Sequence, residues 1–530
     1  MNAPKHSSPG ATPRAVLTGK TAQALAWFLL FCAIGGFKAD PRQLLASLRF
    51  EPAQGGSWFS NNSSMTERAL DVTVEKSSAA AEVRATREQA AAALGVNLQA
   101  EDLQGAFRRI EDPTGRAMGS FFEALTRTSR KEPGAITRIM HFGDSLVVVD
   151  FLTGQARRRL QERFGDAGHG YMLAGKPWPW YQHWDILYHT SNEWTVDGIM
   201  KPKSKGGLYG VAGYAFDGSG PGEFVEYATS PKGEVGRRVS RFEAHYLVRP
   251  GGGSFAVSVD GAPYAKVKTA GPAVKSGVYV VKVKDGAHRF RLQCLGDGPV
   301  RLFGAVLERD TPGVVYDTLG VNGGRARTLD RIDPNLWAEQ LRLRRPDLVV
   351  FNFGTNESED ADRPMSVVEA DYLGVLRRIR ASLPAASCLV VSPADRASRV
   401  NGRLTTNPII PRLIETQRRA ALQAGCAFYN TYEAMGGRGS MARWYTSKPA
   451  MCAGDMTHPN RRGADFLGDA LYRSLVNGLL EFAGGGLHVR TAAAAPSVTA
   501  PAAARPLDGA LLPDQPDPYP PLLEQPRFVD

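Results

Sequence analysis

The chain is poor in cysteine and has no long run of like charges. Five cysteines in 530 residues are too few for a dense disulfide framework, and none has metal-ligand spacing. The formal net charge is +11, but the arginines are scattered in short groups such as 157–159 and 377–378, with no nucleic-acid motif. We interpret them as solvated helix faces, with attraction to an anionic polymer or membrane surface as the alternative. We therefore predict no metal, no organic cofactor and no nucleic-acid partner.

The N-terminus also lacks a full membrane span. Its apolar run, Ala24 to Phe37, follows Lys5, Arg14 and Lys20. At about 14 residues the run is short of the roughly 20 that a spanning helix needs. We expect 1–37 to be a signal peptide or a signal anchor, and the body of the chain to be exported. The expected location is periplasmic or extracellular, with anchoring to the inner membrane as the alternative to cleavage.

Alternating strands and helices dominate two parts of the chain, 116–199 and 313–482. Apolar segments such as Leu348 to Phe353 read as strands, and a four-residue spacing of apolar positions after Ser145 reads as a helix that ends at Gly165. Apolar strands separated by helices predict an α/β fold with a parallel sheet covered on both faces. We expect a partly helical spacer at 38–115 and a disordered tail, rich in Ala and Pro, at 483–530.

The segment 200–312 has a different period. Its apolar residues alternate, and Asp-Gly pairs at 260–261 and 285–286 read as hairpin turns. We predict an antiparallel β-sandwich inserted between the two halves of the α/β domain. In that arrangement Cys426 and Cys452 precede the same edge of the parallel sheet, so we expect them to form a disulfide.

Polar residues that suit nucleophilic catalysis follow the predicted strands. Ser145 lies in a strand-to-helix turn, where a hydroxyl is exposed and helix N–H groups face developing negative charge. Asn356 follows the strongest apolar strand and can donate a hydrogen bond to an oxyanion. Gly323 can bring a backbone N–H to the same oxygen, as can Ser145 itself. Capping and turn roles are the alternatives for each residue taken alone.

His458 lies three residues after Asp455, at the start of the last helix. This spacing lets the carboxylate orient one imidazole nitrogen while the other faces Ser145. A helix-capping box is the alternative. Ser145, His458 and Asp455 together predict a catalytic triad with an oxyanion hole formed by Ser145, Gly323 and Asn356.

These residues resemble the blocks of the SGNH (GDSL) hydrolase family, in the expected order and spacing over about 118–195 and 313–482. The resemblance implies a flavodoxin-like, three-layer α/β fold and a serine esterase. Glu357 stands where many members have Asp, and Leu146 where many have His or Asn. Gly-Thr-Asn-Glu with an inserted β-sandwich is most similar to bacterial peptidoglycan O-acetylesterases, whose insert is carbohydrate-binding-like. That similarity implies removal of O-acetyl groups from an envelope polysaccharide in the periplasm.

Aromatic residues are concentrated just before the predicted insert. Trp178, Trp180, Trp184 and Trp194 lie within seventeen residues, and flat rings stack well on sugars. We expect Trp178, Trp180 and Trp184 to contact substrate, with a hydrophobic plug between the domains as the alternative. Two functions stay open beside the esterase: a polysaccharide O-acetyltransferase with the same triad, and a non-catalytic glycan-binding envelope protein.

Overall fold

A computed structural model describes residues 85–95, 108–203 and 206–484. The predicted segment 1–37, most of the spacer 38–115 and the chain from 485 onward lie outside the described residues. Among the helices of the described part, none is both long and apolar enough to cross a bilayer. The described part of the spacer packs on the α/β layer: a helix at 85–94 buries Ala90, Ala91 and Leu94 in a core cluster.

Along the chain, an α/β segment is followed by a series of antiparallel strands and then by a second α/β segment. The first α/β segment contains α1 (Gly119–Ser129), β1 (Ile136–Gly143) and α2 (Phe151–Phe164). Antiparallel strands follow: β2 (Gly170–Leu173), β3 (Ile186–Thr190), β4 (Thr195–Gly198), β5 (Tyr214–Gly218), β6 (Phe224–Thr229), β7 (Val239–Val248), β8 (Ser254–Val259), β9 (Ala262–Lys268), β10 (Lys275–Gly286), β11 (Arg289–Cys294) and β12 (Val300–Glu308). The second α/β segment contains β13 (Gly313–Gly320), α3 (Pro334–Arg344), β14 (Leu348–Asn352), α4 (Met365–Ser382), β15 (Ser387–Val391), β16 (Ala397–Val400), β17 (Arg403–Thr406), α5 (Ile409–Gln423), β18 (Ala427–Tyr429), α6 (Thr431–Ala434), α7 (Ser440–Thr446) and α8 (Arg461–Ala483).

The predicted α/β fold with a parallel sheet is confirmed. Five parallel strands lie in the order β13-β1-β14-β15-β18. Side chains alternate across the sheet: Leu348 and Val350 pack with α1, α2 and α8, whereas Val349 and Phe351 pack in the cluster that contains α3, α4 and α5. Burial on both faces explains why these strands read as continuous apolar runs. Their carboxyl ends share one edge, which brings the turns that follow them together.

The inserted β-sandwich is also present, and it is larger than the predicted span of 200–312. One sheet has the order β10-β7-β12-β5-β4, with β2 also paired to β12, and the other has the order β3-β6-β11-β8-β9. Because β2, β3 and β4 pair within these sheets, the antiparallel part begins near residue 170, which corrects the predicted boundary at 200. The short strands at 170–198 gave no clear two-residue pattern in the sequence.

One of the two predicted hairpins is confirmed and one is wrong. Asp260 and Gly261 have φ values of 53° and 84° and connect the paired strands β8 and β9, as a tight two-residue turn requires. Asp285 lies at the end of β10, which does not pair with the next strand, because β10 joins β7 in one sheet and β11 joins β6 and β8 in the other. The Asp285 carboxylate instead accepts hydrogen bonds from Arg238 and Arg309.

The expected disulfide between Cys426 and Cys452 is wrong. Cys388 bonds Cys426, with a Cα–Cα distance of 4.7 Å, and Cys452 is a buried free thiol. The register of the sheet explains the pairing, because Leu389 in β15 lies opposite Ala427 in β18 and the two cysteines each precede these residues. Cys452 lies in the loop before α8, where it forms an isolated bridge with Pro459.

Helix ends shift where local capping decides them. The predicted helix after Ser145 begins only at Phe151, since residues 145–149 form turns. The last helix begins at Arg461, because the Asn460 side chain accepts a hydrogen bond from the Gly463 N–H. This cap places the start of α8 three residues after His458.

Candidate active site

Ser145, His458 and Asp455 form a continuous hydrogen-bonded chain at the carboxyl edge of the parallel sheet. Ser145 Oγ is 2.7 Å from His458 Nε2, and His458 Nδ1 is 2.6 Å from Asp455 Oδ2. The second Asp455 oxygen accepts the backbone N–H groups of Thr457 and His458, both at 3.0 Å. The backbone of the 455–458 loop thus orients the Asp455 carboxylate, and this carboxylate in turn orients the His458 imidazole.

The charges of the site favour an oriented, basic imidazole. Burial alone would raise the pKa of Asp455, but the hydrogen bond and charge of His458, with the two backbone N–H groups, bring it down to about 2. Burial would lower the pKa of His458, yet the hydrogen bond and charge of Asp455 and the charge of Asp144 leave it raised. Arg396 acts in the opposite direction on His458. Such an arrangement suits proton transfer to and from the Ser145 hydroxyl.

Hydrogen bonds join the three loops next to Ser145, which follow β1, β13 and β14. The Val321 N–H donates to the Gly143 carbonyl at 2.8 Å, and the Asn356 carboxamide donates to the Gly324 carbonyl at 2.9 Å. These bonds hold the loop after β13 against the turns after β1 and β14.

Gly323, within that loop, has a φ of 73°, a conformation that favours glycine. Within the described part of the chain, the backbone N–H groups of Ser145 and Gly323 have no acceptor in the protein. An amide nitrogen carries two hydrogens, so Asn356 can hold Gly324 and still donate to a ligand. The three predicted oxyanion donors therefore lie on connected turns, and each has an N–H that is not hydrogen-bonded within the described part of the protein.

Asp144 is a residue whose part in the site the sequence did not indicate. Its side chain is 1% exposed, and it accepts hydrogen bonds from the backbone N–H of Leu146 at 3.1 Å and of Thr355 at 2.9 Å. Burial raises the pKa of Asp144, while these bonds and the charge of His458 oppose the shift. The carboxylate ties the Ser145 turn to the Asn356 turn. The Asp before Ser145 could be read only as a helix cap until the neighbouring strand was known.

The predicted tryptophans occupy different environments. Trp178 is 8% exposed and packs edge-on against Tyr181 and Tyr214, so it is a core residue, which corrects its expected contact with substrate. Trp180 is partly buried at the margin of the same cluster. The Arg461 guanidinium lies 4.0 Å from the centre of the Trp184 ring. Stacking of a sugar on that face of Trp184 would have to displace Arg461.

Asp150, His169 and His183 place potential ligand atoms within 4.8 Å of one another. All but one of their polar atoms already bond within the protein; the exception is His169 Nδ1, which is buried and has no partner among the described residues. His169 Nε2 lies 3.0 Å from His183 Nδ1, and the Asp150 carboxylate forms an ion pair with Arg157. The same carboxylate accepts hydrogen bonds from Thr153, Thr318 and the Trp184 N–H. A cation would have to compete with the Arg157 guanidinium, so this donor set fits a structural hydrogen-bond network and does not fit a metal site.

Comparison with known proteins gives a family and a fold. Residues 285–466 match the GDSL-like Lipase/Acylhydrolase family, a range that includes Asn356, Asp455 and His458 and omits Ser145. The three-dimensional arrangement supplies the missing serine at hydrogen-bond distance from His458. The chain carries an SGNH (GDSL) hydrolase domain. The family match covers 285–466, the fold is that of the SGNH esterases, and together they support a serine esterase.

The SGNH domain and its insert resemble several solved structures. A peptidoglycan O-acetylesterase structure has a TM-score of 0.58 and 21% sequence identity, with 70% of this chain and 98% of that chain covered. A family two carbohydrate esterase from Clostridium thermocellum has a TM-score of 0.26 and 12% identity, with 55% and 98% covered. A family two carbohydrate esterase from Cellvibrio japonicus has a TM-score of 0.23 and 12% identity, with 56% and 99% covered. No protein of curated function matches the chain in sequence.

Proposed function

We propose that this SGNH hydrolase removes O-acetyl groups from a cell-envelope glycan, with peptidoglycan as the substrate, through an acyl-enzyme on Ser145. The observation that carries the proposal is the hydrogen-bonded chain from Ser145 Oγ through His458 to Asp455, at 2.7 and 2.6 Å. These distances lie within the range needed for direct proton transfer between nucleophile and base.

In the first half of the reaction, Ser145 Oγ attacks the acetyl carbonyl carbon and His458 Nε2 takes the hydroxyl proton. The N–H groups of Ser145 and Gly323 and the carboxamide of Asn356 donate to the oxyanion of the tetrahedral intermediate. The intermediate collapses as His458 returns the proton to the departing sugar oxygen. The sugar hydroxyl leaves, and the acetyl group stays on Ser145.

In the second half, water attacks the acetyl-serine while His458 takes one of its protons. Collapse of the second intermediate returns that proton to Ser145 Oγ and releases acetic acid. Asp455 keeps the imidazole oriented throughout and stabilises the positive charge that His458 carries after each proton transfer. A sugar hydroxyl in place of water would convert the same mechanism into acetyl transfer.

The substrate class is supported by the two-part architecture. Nearly all of a solved peptidoglycan O-acetylesterase chain, 98%, aligns with this one, so the likeness extends over both the α/β layer and the insert. The sandwich begins near residue 170, soon after α2 ends at Phe164, and includes the segment between β2 and β3 that contains Trp180. We propose that the insert holds the polymer while the catalytic edge acts on the acetyl ester.

The proposed substrate requires export. The basic and apolar N-terminal segment 1–37 supports a periplasmic or extracellular location, with cleavage of a signal peptide and retention of an anchor as alternatives. Fractionation of cells that express the full chain, with N-terminal sequencing of the product, distinguishes the two.

The decisive experiment measures acetate release from O-acetylated peptidoglycan, acetylated xylan and an aryl acetate side by side, with Ser145→Ala as the matched inactive control. We expect kcat/KM to be higher on O-acetylated peptidoglycan than on acetylated xylan. Preference for xylan would overturn the substrate class. Recovery of the acetyl group on an added glycan, with no free acetate, would favour the transferase.

A further inference from the structure

The buried carboxyl group of Glu357 lies next to Asn356 and has no part in the mechanism above. Its side chain is 3% exposed. One oxygen, Oε1, accepts the backbone N–H of Ala326 at 2.7 Å and the hydroxyl of Tyr372 at 3.2 Å. The other, Oε2, is buried and has no hydrogen-bond partner among the described residues. A buried carboxyl with one unsatisfied oxygen calls for a physical explanation.

The contacts of Glu357 join two of the loops that supply oxyanion donors. Ala326 lies three residues after Gly323, and Glu357 follows Asn356 directly. The Asn356 carboxamide already donates to the Gly324 carbonyl. The loop after β13 and the turn after β14 are therefore joined twice within a few residues, once by Asn356 and once by Glu357.

Further buried polar groups support Glu357 from behind. Gln417 Nε2 donates to the Tyr372 hydroxyl at 2.6 Å and to the Phe353 carbonyl at 2.8 Å. Phe353 immediately precedes the Gly-Thr-Asn turn. Hydrogen bonds thus run from Ala326 through Glu357, Tyr372 and Gln417 back to the start of that turn. Such a closed network fixes the relative position of the two loops.

We propose that Glu357 is a positioning residue that acts as a neutral carboxylic acid, holding the Gly323 loop against Asn356 so that their donors converge on the oxyanion. The proposal rests on the proposed function and adds a residue to its machinery. The geometry favours the neutral form, because a buried oxygen without a partner costs far more free energy when it is charged than when it is neutral. A negative charge beside Asn356 would also repel the oxyanion that forms during the reaction.

The surrounding charges agree with this form. Burial raises the pKa of Glu357 to about 7, and the charge of Asp144 adds to the rise, while the hydrogen bonds from Ala326 and Tyr372 oppose it. The titratable and charged groups around it are Asp144 after β1, Tyr372 on α4, and Arg325, which is paired with Asp360. Since Glu357 must be protonated, its ionisation as the pH rises should lower kcat.

Two substitutions and a surface control test the role of Glu357. Glu357→Gln keeps a neutral acceptor of similar shape, Glu357→Ala removes it, and Glu369→Gln makes the same chemical change on the outer part of α4, beside Arg419. We would measure kcat and KM on an aryl acetate from about pH 6 to about pH 9, with the folded fraction and melting temperature of each variant.

We expect Glu357→Ala to lose about 10- to 100-fold in kcat per folded molecule with little change in KM, on the scale of one misplaced oxyanion donor. Glu357→Gln should keep kcat at the lower pH and lack the alkaline decline of the parent enzyme. Glu369→Gln should match the parent in both respects.

Either of two results would overturn the proposal. One is a Glu357→Ala variant that loses melting temperature and keeps the parent kcat per folded molecule. The other is an alkaline decline that is absent from the parent or unchanged in Glu357→Gln. A failure of the proposed function itself would appear separately, as residual activity of Ser145→Ala on the same ester.

Discussion

Two regions of the molecule bury carboxyl groups in opposite ways. At the catalytic edge, Asp144 and Glu357 accept backbone N–H groups, and burial raises the pKa of both. At the junction with the insert, Glu308 and Glu243 face arginines. Burial would raise the pKa of these two carboxyls as well, but Arg344 and Arg138 lower that of Glu308, and His245, Arg344 and Arg241 lower that of Glu243.

The difference distinguishes the catalytic edge from what we call the structural joint, the ion pairs of Arg344 and Arg138 between the α/β layer and the insert. Arg344 on α3 bonds Asp317 of β13 and Glu308 of β12, and Arg138 of β1 bonds the same Glu308. These ion pairs neutralise charge and connect the α/β layer to the sandwich. The carboxyls at the catalytic edge instead hold loops in place and leave nearby donors available for a ligand. A perturbed pKa by itself therefore does not distinguish a functional site from a structural ion-pair network.

The largest expected effect tests the catalytic edge. Ser145→Ala should reduce ester hydrolysis by about 10⁴- to 10⁶-fold, because triad members act as a unit. The melting temperature should stay near that of the parent, since only one hydroxyl is removed. Hydrolysis of an aryl acetate and thermal unfolding check the two halves of this prediction. An active Ser145→Ala variant would contradict the assignment of the nucleophile.

Asn356→Ala should have the next largest effect. Removing one oxyanion donor costs about 10²- to 10³-fold in kcat, with KM nearly unchanged. Because Asn356 also holds the Gly324 carbonyl, part of the loss would reflect a misplaced loop. Initial-rate kinetics on an aryl acetate separate kcat from KM. A change confined to KM would instead place Asn356 in substrate binding.

Arg344→Met tests the structural joint. The Arg344 side chain is 3% exposed, and its removal leaves buried carboxylates without a partner, which costs about 3–5 kcal/mol of unfolding free energy. Activity per folded molecule should be retained, since the joint holds no oxyanion donor. Chemical denaturation and kcat of the folded fraction check both statements. A loss of kcat with unchanged stability would erase the distinction between the two regions.

Trp180→Ala tests whether the margin of the insert contacts polymer. Loss of one stacked ring should lower kcat/KM on O-acetylated peptidoglycan by about tenfold and leave the aryl acetate unaffected. Trp178→Ala is the matched control: its ring is in the core, so it should lower the melting temperature and affect both substrates alike. Equal losses on both substrates for Trp180→Ala would indicate packing alone.

The smallest expected effect is a shift in pH dependence. His458 acts as a base only when unprotonated, so kcat/KM should fall as the pH decreases through its raised pKa. The positive charge of Arg396 lowers that pKa, and Arg396→Gln should therefore move the acid limb to higher pH, with kcat at neutral to alkaline pH retained. A pH–rate profile at low ionic strength measures the shift. Movement to lower pH would contradict the electrostatic account.

The sequence by itself determined the features that depend on local pattern. Continuous apolar strands with intervening helices predicted the parallel sheet, and Asp260-Gly261 predicted a true hairpin because both residues readily adopt positive φ. The positions of Ser145 and Asn356 after predicted strands, and the Asp455–His458 spacing, predicted the candidate catalytic residues. Side-chain contacts among these residues were beyond any local pattern, since 313 positions separate Ser145 from His458.

Tertiary structure decided what depends on neighbours distant in sequence. Cys388 pairs with Cys426 because β15 and β18 are adjacent, which cysteine spacing could not indicate. The chain crosses between sheets at Asp285 although its Asp-Gly pair resembles a hairpin turn. Asp144 and Glu357 gain their roles only when backbone N–H groups from other segments meet them in the buried interior. A local pattern fixes strands and turns, whereas partners across the fold fix the charge and bonding of each buried group.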